Sequence, residues 1–143
     1  VRKQQSLINV GHHADGTVET PQEGSSTRVI DESVADQVKN AMESVAEGYS
    51  KVVNVKGYRI AAKTGTAEVA GSDGRLTSIV ADFAGMIPAD NPRFAITVIM
   101  KDPQGTYGGM TAGPVFAKIG EFLMQKYNVP TSSPRNDAIA VDW

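Results

Sequence analysis

The sequence contains no cysteine, few aromatic residues and no long apolar run. Without cysteine the chain forms no disulfide and no thiolate metal site, and this composition is compatible with an extracytoplasmic protein that avoids thiols. Every apolar segment is shorter than the roughly 20 residues of a membrane-spanning helix, and no signal peptide is recognisable. The net charge of -2 gives no electrostatic reason to expect nucleic acid as the main partner.

What the sequence does contain is sufficient for one folded domain. Its 143 residues, 41% hydrophobic and 21% charged, have the proportions of a globular protein, so disorder of the whole chain is not expected. The chain begins at Val1 rather than at an initiator methionine. We therefore expect it to be part of a longer protein, with any targeting segment upstream.

Two amphipathic helices are predicted from the spacing of apolar residues. The first covers 31–48, and the stripe expected to be buried consists of Val34, Val38, Ala41, Met42 and Val45. The second is expected to begin at Thr111, as its cap, and to end near Tyr127, with Pro114 in the first turn. Its sheet-packing stripe is expected to be Val115, Phe116, Ile119, Phe122 and Leu123. Residues 128–143 are expected to form an extended or flexible tail.

The segment between these helices is predicted to form three strands, at about 57–68, 76–87 and 93–101. The turns between them, GSDG and PADNP, are short. Connections of this length favour an antiparallel meander over crossover units.

Near the N terminus a hairpin is predicted, with a first strand from Leu7 to Val10 and a turn at Asp15-Gly16. Two adjacent histidines, His12 and His13, raise the question of a metal site. Neighbouring side chains on a strand point in different directions, and no clear third ligand follows. We interpret the pair as part of a solvated turn and predict no metal site.

The stretch RIAAKTGTAEVAG, residues 59–71, has three interpretations: a phosphate-binding loop, a strand that lines an active site, or an ordinary strand. A phosphate-binding loop requires glycine where Ala62 stands, and a helix must begin directly after the lysine. The residues that follow Thr64 contain three glycines and have no helical period. The phosphate-binding loop is therefore rejected.

As a strand, the same stretch alternates its side chains between two faces. Lys63 and Gly65 then lie on one face together with Arg59, and Thr64 and Thr66 lie on the other. A twist or bulge near Gly65 would bring the lysine and both threonines toward one cleft, where they would bind a carboxylate and leave a strand N–H for an oxyanion. On this stretch alone a plain strand with a solvated lysine is the favoured explanation, and the active-site strand stays open as the alternative.

The surrounding segments decide between them. GYRIAAKTGT is followed by FAGMIPADNPRFAITVIM and YGGMTAGPVFAKIGEFLM, and it is preceded by RVIDESVADQVKNAMESVAEGYS. This ordered set, about residues 5–127, resembles the penicillin-binding proteins, most closely the class B peptidoglycan transpeptidases of the cell-division type. The resemblance implies an α+β fold with a central antiparallel sheet and packed helices. It also implies that 1–127 is the C-terminal portion of the transpeptidase domain, contributing about three strands and the C-terminal helix, with 128–143 as a tail.

The family has three active-site motifs, Ser-x-x-Lys, Ser-x-Asn and Lys-Thr-Gly, and only the third occurs here. The resemblance therefore implies that the nucleophilic serine belongs to a missing N-terminal part of the domain or to a separate chain, and that this chain alone is inactive. It makes Lys63 and Thr66 catalytic candidates, through a positive potential and an oxyanion-hole N–H. It makes Lys63, Thr64, Gly65 and Thr66 the substrate-binding candidates, with the threonine hydroxyls on the terminal carboxylate.

The function that the resemblance implies is cross-linking of D-Ala-D-Ala stem peptides by serine acyl transfer in cell-wall synthesis. Because the sequence is most similar to the cell-division type, the resemblance points to synthesis of the septum. β-Lactams would mimic the donor, and no metal or organic cofactor is needed. Two alternatives are a carboxypeptidase or β-lactamase of the same superfamily and a non-catalytic β-lactam sensor. The parent is expected at the extracytoplasmic face of the bacterial membrane, with an N-terminal anchor and cell-division proteins as possible partners. Tyr107 and Gly108 are further groove candidates, although simple turn geometry also explains them.

Overall fold

The computed structural model of the chain describes residues 2–3, 11–12, 14–19, 26–104 and 107–139. The chain divides into two compact units, Val1–Asp36 and Gln37–Trp143. No helix in the described part of the chain combines the length and the apolar character that crossing a bilayer requires.

The first unit contains two short antiparallel pairs. Strand β1 (Arg2–Lys3) pairs with β4 (Ser26–Thr27), and β2 (Gly11–His12) pairs with β3 (Val18–Glu19). The predicted turn is confirmed, because Gly16 adopts a φ of 83° between β2 and β3. Hydrogen bonds from the hydroxyl and the N–H of Thr17 lower the pKa of Asp15 in this turn. The strand predicted at 7–10 and His13 lie outside the described residues.

Helix α1 (Glu32–Gly48) confirms the position of the first predicted helix but not its buried stripe. Val34 and Val38 are 45% and 51% exposed. The buried residues of α1 are instead Glu43, Ser44 and Ala46. The stripe prediction is wrong because this helix turns its polar side toward two arginines, as described below, and nothing in the described residues buries the two valines.

Three antiparallel strands in the order β5-β6-β7 form the sheet, as predicted. Strand β5 covers Ala61–Ala70, β6 covers Leu76–Ile87 and β7 covers Phe94–Lys101. The pairs Lys63↔Ala84 and Gly65↔Asp82 lie in a regular part of the register, and the shift between β5 and β6 occurs only at Val69/Ala70. The register therefore excludes the bulge, which was one of the two alternatives predicted near Gly65.

Helix α2 (Gly108–Lys126) begins one turn before the predicted start. Its N-cap is Tyr107, and the Thr111 hydroxyl donates to the Tyr107 carbonyl at 3.0 Å instead of capping the helix. Pro114 therefore lies inside the helix rather than in its first turn. Helix propensity disfavours a first turn that contains two glycines, Gly108 and Gly109. Packing favours it nevertheless, because Gly108 lies directly on the sheet.

The face of the sheet that α2 covers is called the helix face, and it is formed by Ala62, Thr64, Thr66, Ala81, Phe83 and Ile87. The Phe83 and Phe116 rings meet there with their centroids 5.0 Å apart. Small residues of α2 allow a close approach, since a Cβ at Gly113 would lie 2.6 Å from the Val53 side chain. The predicted stripe is only partly right: Phe116 is buried, but Ile119 and Phe122 are 38% and 57% exposed. Ala112, Ala117, Gly120 and Met124 are buried in their place.

The opposite side of the sheet is called the open face, and no described helix within the unit Gln37–Trp143 packs on it. It carries, by alternation along the strands, Lys63, Gly65, Ala67, Val69, Val80, Asp82, Ala84, Thr97 and Ile99. Ile99 is 69% exposed there and Val69 is 38% exposed.

The described part of the predicted tail, 128–139, begins in a turn at Asn128, whose φ is 47°, and contains no regular secondary structure. It is nevertheless anchored. The Tyr58 hydroxyl donates to the Val129 carbonyl at 2.6 Å, and the Ser132 hydroxyl donates to the Asp90 carboxylate at 2.7 Å. Burial raises the pKa of Asp90, but hydrogen bonds from the Ser132 hydroxyl and the Ser133 N–H outweigh it, and the net pKa is lowered.

Farther along the tail, Arg135 joins a charge cluster on α1. Its guanidinium lies 2.8 Å from the Glu47 carboxylate and 3.7 Å from that of Glu43. Glu43, whose side chain is only 3% exposed, also receives two hydrogen bonds from Arg59, which raise the pKa of that arginine. The cluster ties α1, the segment before β5 and the tail together.

Candidate functional site

The residues predicted to form the site lie near the start of β5, which is an edge strand of the described sheet. Ala61 and Ala62 are fully buried and fix the strand just before Lys63. Pairing with β6 then holds Lys63, Thr64, Gly65 and Thr66 in extended conformation. The strand interpretation of RIAAKTGTAEVAG is thus confirmed up to residue 70. Arg59, which precedes the strand, points to Glu43 and does not join the site.

The alternation predicted from the sequence holds, with Lys63 on the open face and Thr64 and Thr66 on the helix face. The long lysine side chain bends around the edge of the strand toward Thr64. Its ammonium donates to the Thr64 carbonyl at 2.8 Å and lies 3.4 Å from the Thr64 hydroxyl. Lys63 and Thr64 therefore meet at the edge of β5 without a bulge.

At this edge the backbone of β5 pairs with no other described strand. The carbonyl oxygens of Gly65 and Asp82, which face each other in the register, both lie beneath the first residue of α2. In an antiparallel pair, neighbouring residues direct their N–H and C=O groups to opposite sides. We infer that Gly65 bonds toward β6, whereas the Thr64 carbonyl and the Thr66 N–H point to the free edge.

A side chain at Gly65 would meet the Asp82 carboxylate, which would have to turn aside to make room. A Cβ built at Gly65 would lie 2.5 Å from Asp82 Oδ1. Sequence reasoning did not identify Asp82, since a lone acidic residue in a strand is usually solvated. In the structure Asp82 is half-buried on the open face, beside the site.

Thr66 is the point at which the site meets α2. Its hydroxyl oxygen accepts a hydrogen bond from the Gly108 N–H at 3.4 Å. Tyr107, the other predicted groove residue, is 66% exposed and is the N-cap of α2, so helix geometry rather than a turn explains the pair. The hydrogen bond between Gly108 and Thr66 could not be predicted from a local sequence pattern, because 42 residues separate the two partners.

The arrangement offers an ammonium, two hydroxyls and a free strand N–H at one edge. These groups suit an anionic ligand such as a carboxylate, and the N–H suits an oxyanion. Within the described residues the Lys63 ammonium has hydrogen bonds only to Thr64. In the same part of the chain, no three His, Asp or Glu side chains gather in a way that would hold a metal ion.

Curated proteins provide the first comparison. Residues 4–121 match the family described as the penicillin binding protein transpeptidase domain. The peptidoglycan D,D-transpeptidase FtsI of Escherichia coli K12 is 44% identical over 107 residues, which cover 71% of this chain and 18% of that protein. Penicillin-binding protein PbpB of Mycolicibacterium smegmatis is 35% identical over 132 residues, covering 82% of this chain and 20% of that protein. The chain thus spans about a fifth of the length of these relatives.

Solved structures give the same result. A peptidoglycan synthetase from Bifidobacterium adolescentis is 64% identical and superposes with a TM-score of 0.86, covering 99% of this chain and 26% of that one. Penicillin binding protein 3 from Mycobacterium tuberculosis, complexed with ampicillin, is 29% identical with a TM-score of 0.75, covering 91% of this chain and 32% of that one. Both the sheet-and-helix architecture and the match over 4–121 confirm the predicted resemblance and its α+β fold. The chain belongs to the penicillin-binding-protein transpeptidase family.

Proposed function

We propose that the chain is the C-terminal part of a penicillin-binding D,D-transpeptidase, with 1–127 in the transpeptidase domain and 128–143 as its tail. The observation that carries the proposal is the edge of β5, where the Lys63 ammonium, the Thr64 hydroxyl and Thr66 lie together. The family match over 4–121 includes these residues, and the relative from E. coli is named a D,D-transpeptidase.

The proposed substrate is the D-Ala-D-Ala end of a peptidoglycan stem peptide, and β-lactams occupy the same site. Its terminal carboxylate binds the Thr64 and Thr66 hydroxyls within the positive potential of Lys63. The Thr66 N–H, together with the N–H of the nucleophilic serine, stabilises the oxyanion. Gly65 adds no side chain that would block the edge.

The proposed reaction is acyl transfer through a serine of the Ser-x-x-Lys motif, which does not occur in this sequence. The serine oxygen attacks the penultimate D-Ala carbonyl, the C–N bond breaks, and the terminal D-Ala leaves with a proton on its nitrogen. An amine of a neighbouring stem peptide then attacks the acyl-enzyme, forms the cross-link and releases the serine. Lys63 attracts the carboxylate and hydrogen-bonds the serine of the Ser-x-Asn motif.

The segment that carries the nucleophilic serine must pack against this chain, and the open face is the surface that we assign to it. Ile99 at 69% and Leu76 at 62% exposure leave apolar area that a stable protein normally covers. Because the chain spans 18% and 20% of the curated relatives, we propose that the N-terminal part of the same transpeptidase domain packs on this face. That part would place the serine beside Lys63.

In the cell, the proposed role is cell-wall synthesis at the extracytoplasmic face of the bacterial membrane. The division-type sequence supports septal synthesis, with consequences for cell shape and with cell-division proteins as partners. The parent protein would be membrane-anchored and an antibiotic target. The support for these roles is the names of the relatives, which describe peptidoglycan D,D-transpeptidases and penicillin-binding proteins.

Replacement of Lys63 in a longer transpeptidase that contains this chain tests the proposal. We expect Lys63→Ala to lower the second-order rate constant of acylation by penicillin about 100-fold or more, because a preorganised charge is lost. Lys118→Ala, which removes an exposed lysine of α2, is the matched control and should acylate normally. Unchanged acylation in Lys63→Ala would remove Lys63 from the site.

A carboxypeptidase or β-lactamase of the same superfamily is distinguished by the fate of the acyl-enzyme. A transpeptidase should retain the penicilloyl group, so the label persists after free penicillin is removed. Rapid deacylation in water would favour a hydrolase. A non-catalytic sensor would also retain the label, but it would not cross-link stem peptides.

A further inference from the structure

The first turn of α2 lacks a cap from its own segment. The N-cap residue, Tyr107, provides no side-chain hydrogen bond, and its carbonyl accepts from the N–H groups of Met110 and Thr111 rather than from that of Gly108. The N–H of Gly108 is satisfied from another element, since it donates to the Thr66 hydroxyl oxygen at 3.4 Å. A residue of the proposed carboxylate site thus also replaces the missing cap of α2.

This contact depends on glycine at 108. A Cβ there would lie 2.5 Å from the Gly65 carbonyl oxygen and even closer to that of Asp82. Any side chain would lift the start of α2 from the sheet and pull the N–H away from Thr66. Real Cβ atoms do not tolerate such distances to backbone atoms, which cannot rotate aside as a flexible side chain does.

The contact also determines where the Thr66 hydroxyl can donate. A threonine hydroxyl has one proton and accepts through its lone pairs. When the Gly108 N–H occupies the oxygen as an acceptor, the proton is free for an external acceptor. Because Thr66 is exposed, a ligand at the edge of β5 can reach that proton.

We propose that Gly108 is a positioning residue, whose N–H holds the Thr66 hydroxyl so that its proton is directed at the carboxylate of the substrate or β-lactam. This inference rests on the proposed function, in which Thr66 binds that carboxylate. Gly108 itself does not touch the ligand.

The test uses the full transpeptidase that contains this chain, with benzylpenicillin and its methyl ester as probes. The ester retains the β-lactam ring but lacks the anionic acceptor. We expect Gly108→Ala to lower the acylation rate constant for benzylpenicillin about tenfold, the scale of one charge-assisted hydrogen bond, and that for the ester less than about twofold. Gly113→Ala is the matched control, because it disturbs the packing of α2 on Val53 away from Thr66. It should leave the ratio of the two rate constants unchanged.

A double variant separates positioning from general damage. In a Thr66→Val background, Gly108→Ala should have no further effect on the ratio, because no hydroxyl remains to be oriented. Should Gly108→Ala fail to fold, replacing the 107–108 amide by an ester removes the N–H without adding a side chain and should give the same change in ratio. An equal loss for both probes, or an unchanged ratio in a folded variant, would overturn the inference alone. A wild-type protein that neither probe acylates would instead contradict the proposed function and the inference with it.

Discussion

The two faces of the β5-β6-β7 sheet differ in what covers them. On the helix face, Phe83 and Ile87 are fully buried beneath α2, and Phe116 of that helix is fully buried as well. On the open face, Lys63 and Ile99 remain exposed, and Ile99 is 69% exposed. Burial of one large apolar side chain contributes about 1.5–3 kcal/mol. The helix face therefore stabilises the chain, whereas the open face and the edge of β5 present the groups that the proposed reaction uses.

The largest expected effect contrasts one residue from each face. Phe83→Ala removes a fully buried ring that contacts Phe116 and should lower the free energy of unfolding by about 3–5 kcal/mol. Ile99→Ala should change it by less than about 0.5 kcal/mol in this chain, since its side chain is mostly in water. Urea denaturation of both variants measures the difference.

The same two variants can be compared in the longer protein. If the rest of the domain covers the open face, Ile99→Ala should cost more than about 1 kcal/mol there, because the residue is then buried. An equally small effect in both proteins would show that the open face stays uncovered, against the proposed assembly.

The charge cluster gives the next effect in size. Arg135→Ala should lower the free energy of unfolding by about 2–4 kcal/mol, because the arginine side chain is 6% exposed and pairs with the buried Glu43. Arg75→Ala is the matched control: its side chain is 85% exposed and its ion pair to Asp73 is 3.9 Å long. That variant should differ from the parent by less than about 0.5 kcal/mol. Equal stabilities of the two variants would contradict a docked tail.

A smaller effect is expected from pH at the tail anchor. The pKa of Asp90 lies below its ordinary value of 3.8 in the folded chain, so its stabilising contribution is complete above that value. The contribution is lost as the pH falls through the lower, folded pKa, because protonation weakens the bonds from Ser132 and Ser133. Asp90→Asn should therefore reduce the acid loss of stability, followed as the free energy of unfolding between about pH 5 and pH 2. An unchanged pH profile would exclude Asp90 as the source.

Some elements of the fold follow directly from the sequence. Strand β6 covers the predicted residues, because alternation bounded by turn residues is a local signal. The alternation of Lys63 with Thr64 and Thr66 follows from the same local signal. Most of the candidate site could therefore be predicted from the sequence. The bounds of α1 were also close, since Gly48 ends the helix.

Other features depend on which elements meet. Val34 and Val38 have the spacing of a core stripe, yet nothing in the described chain buries them. The early start of α2 at Gly108 and the buried Glu43 depend on contacts with residues distant in sequence. Periodicity predicts an apolar face, but it does not say whether the same chain supplies the cover.

Labelling with a fluorescent penicillin tests the central claim, that this chain supplies one wall of an acyl-transfer site whose nucleophile lies elsewhere. The 143-residue chain and the longer transpeptidase are incubated with the probe, denatured and examined for covalent fluorescence. We predict that the longer protein is labelled and that the chain alone is not, since it contains no Ser-x-x-Lys motif. Covalent labelling of the isolated chain would contradict the account.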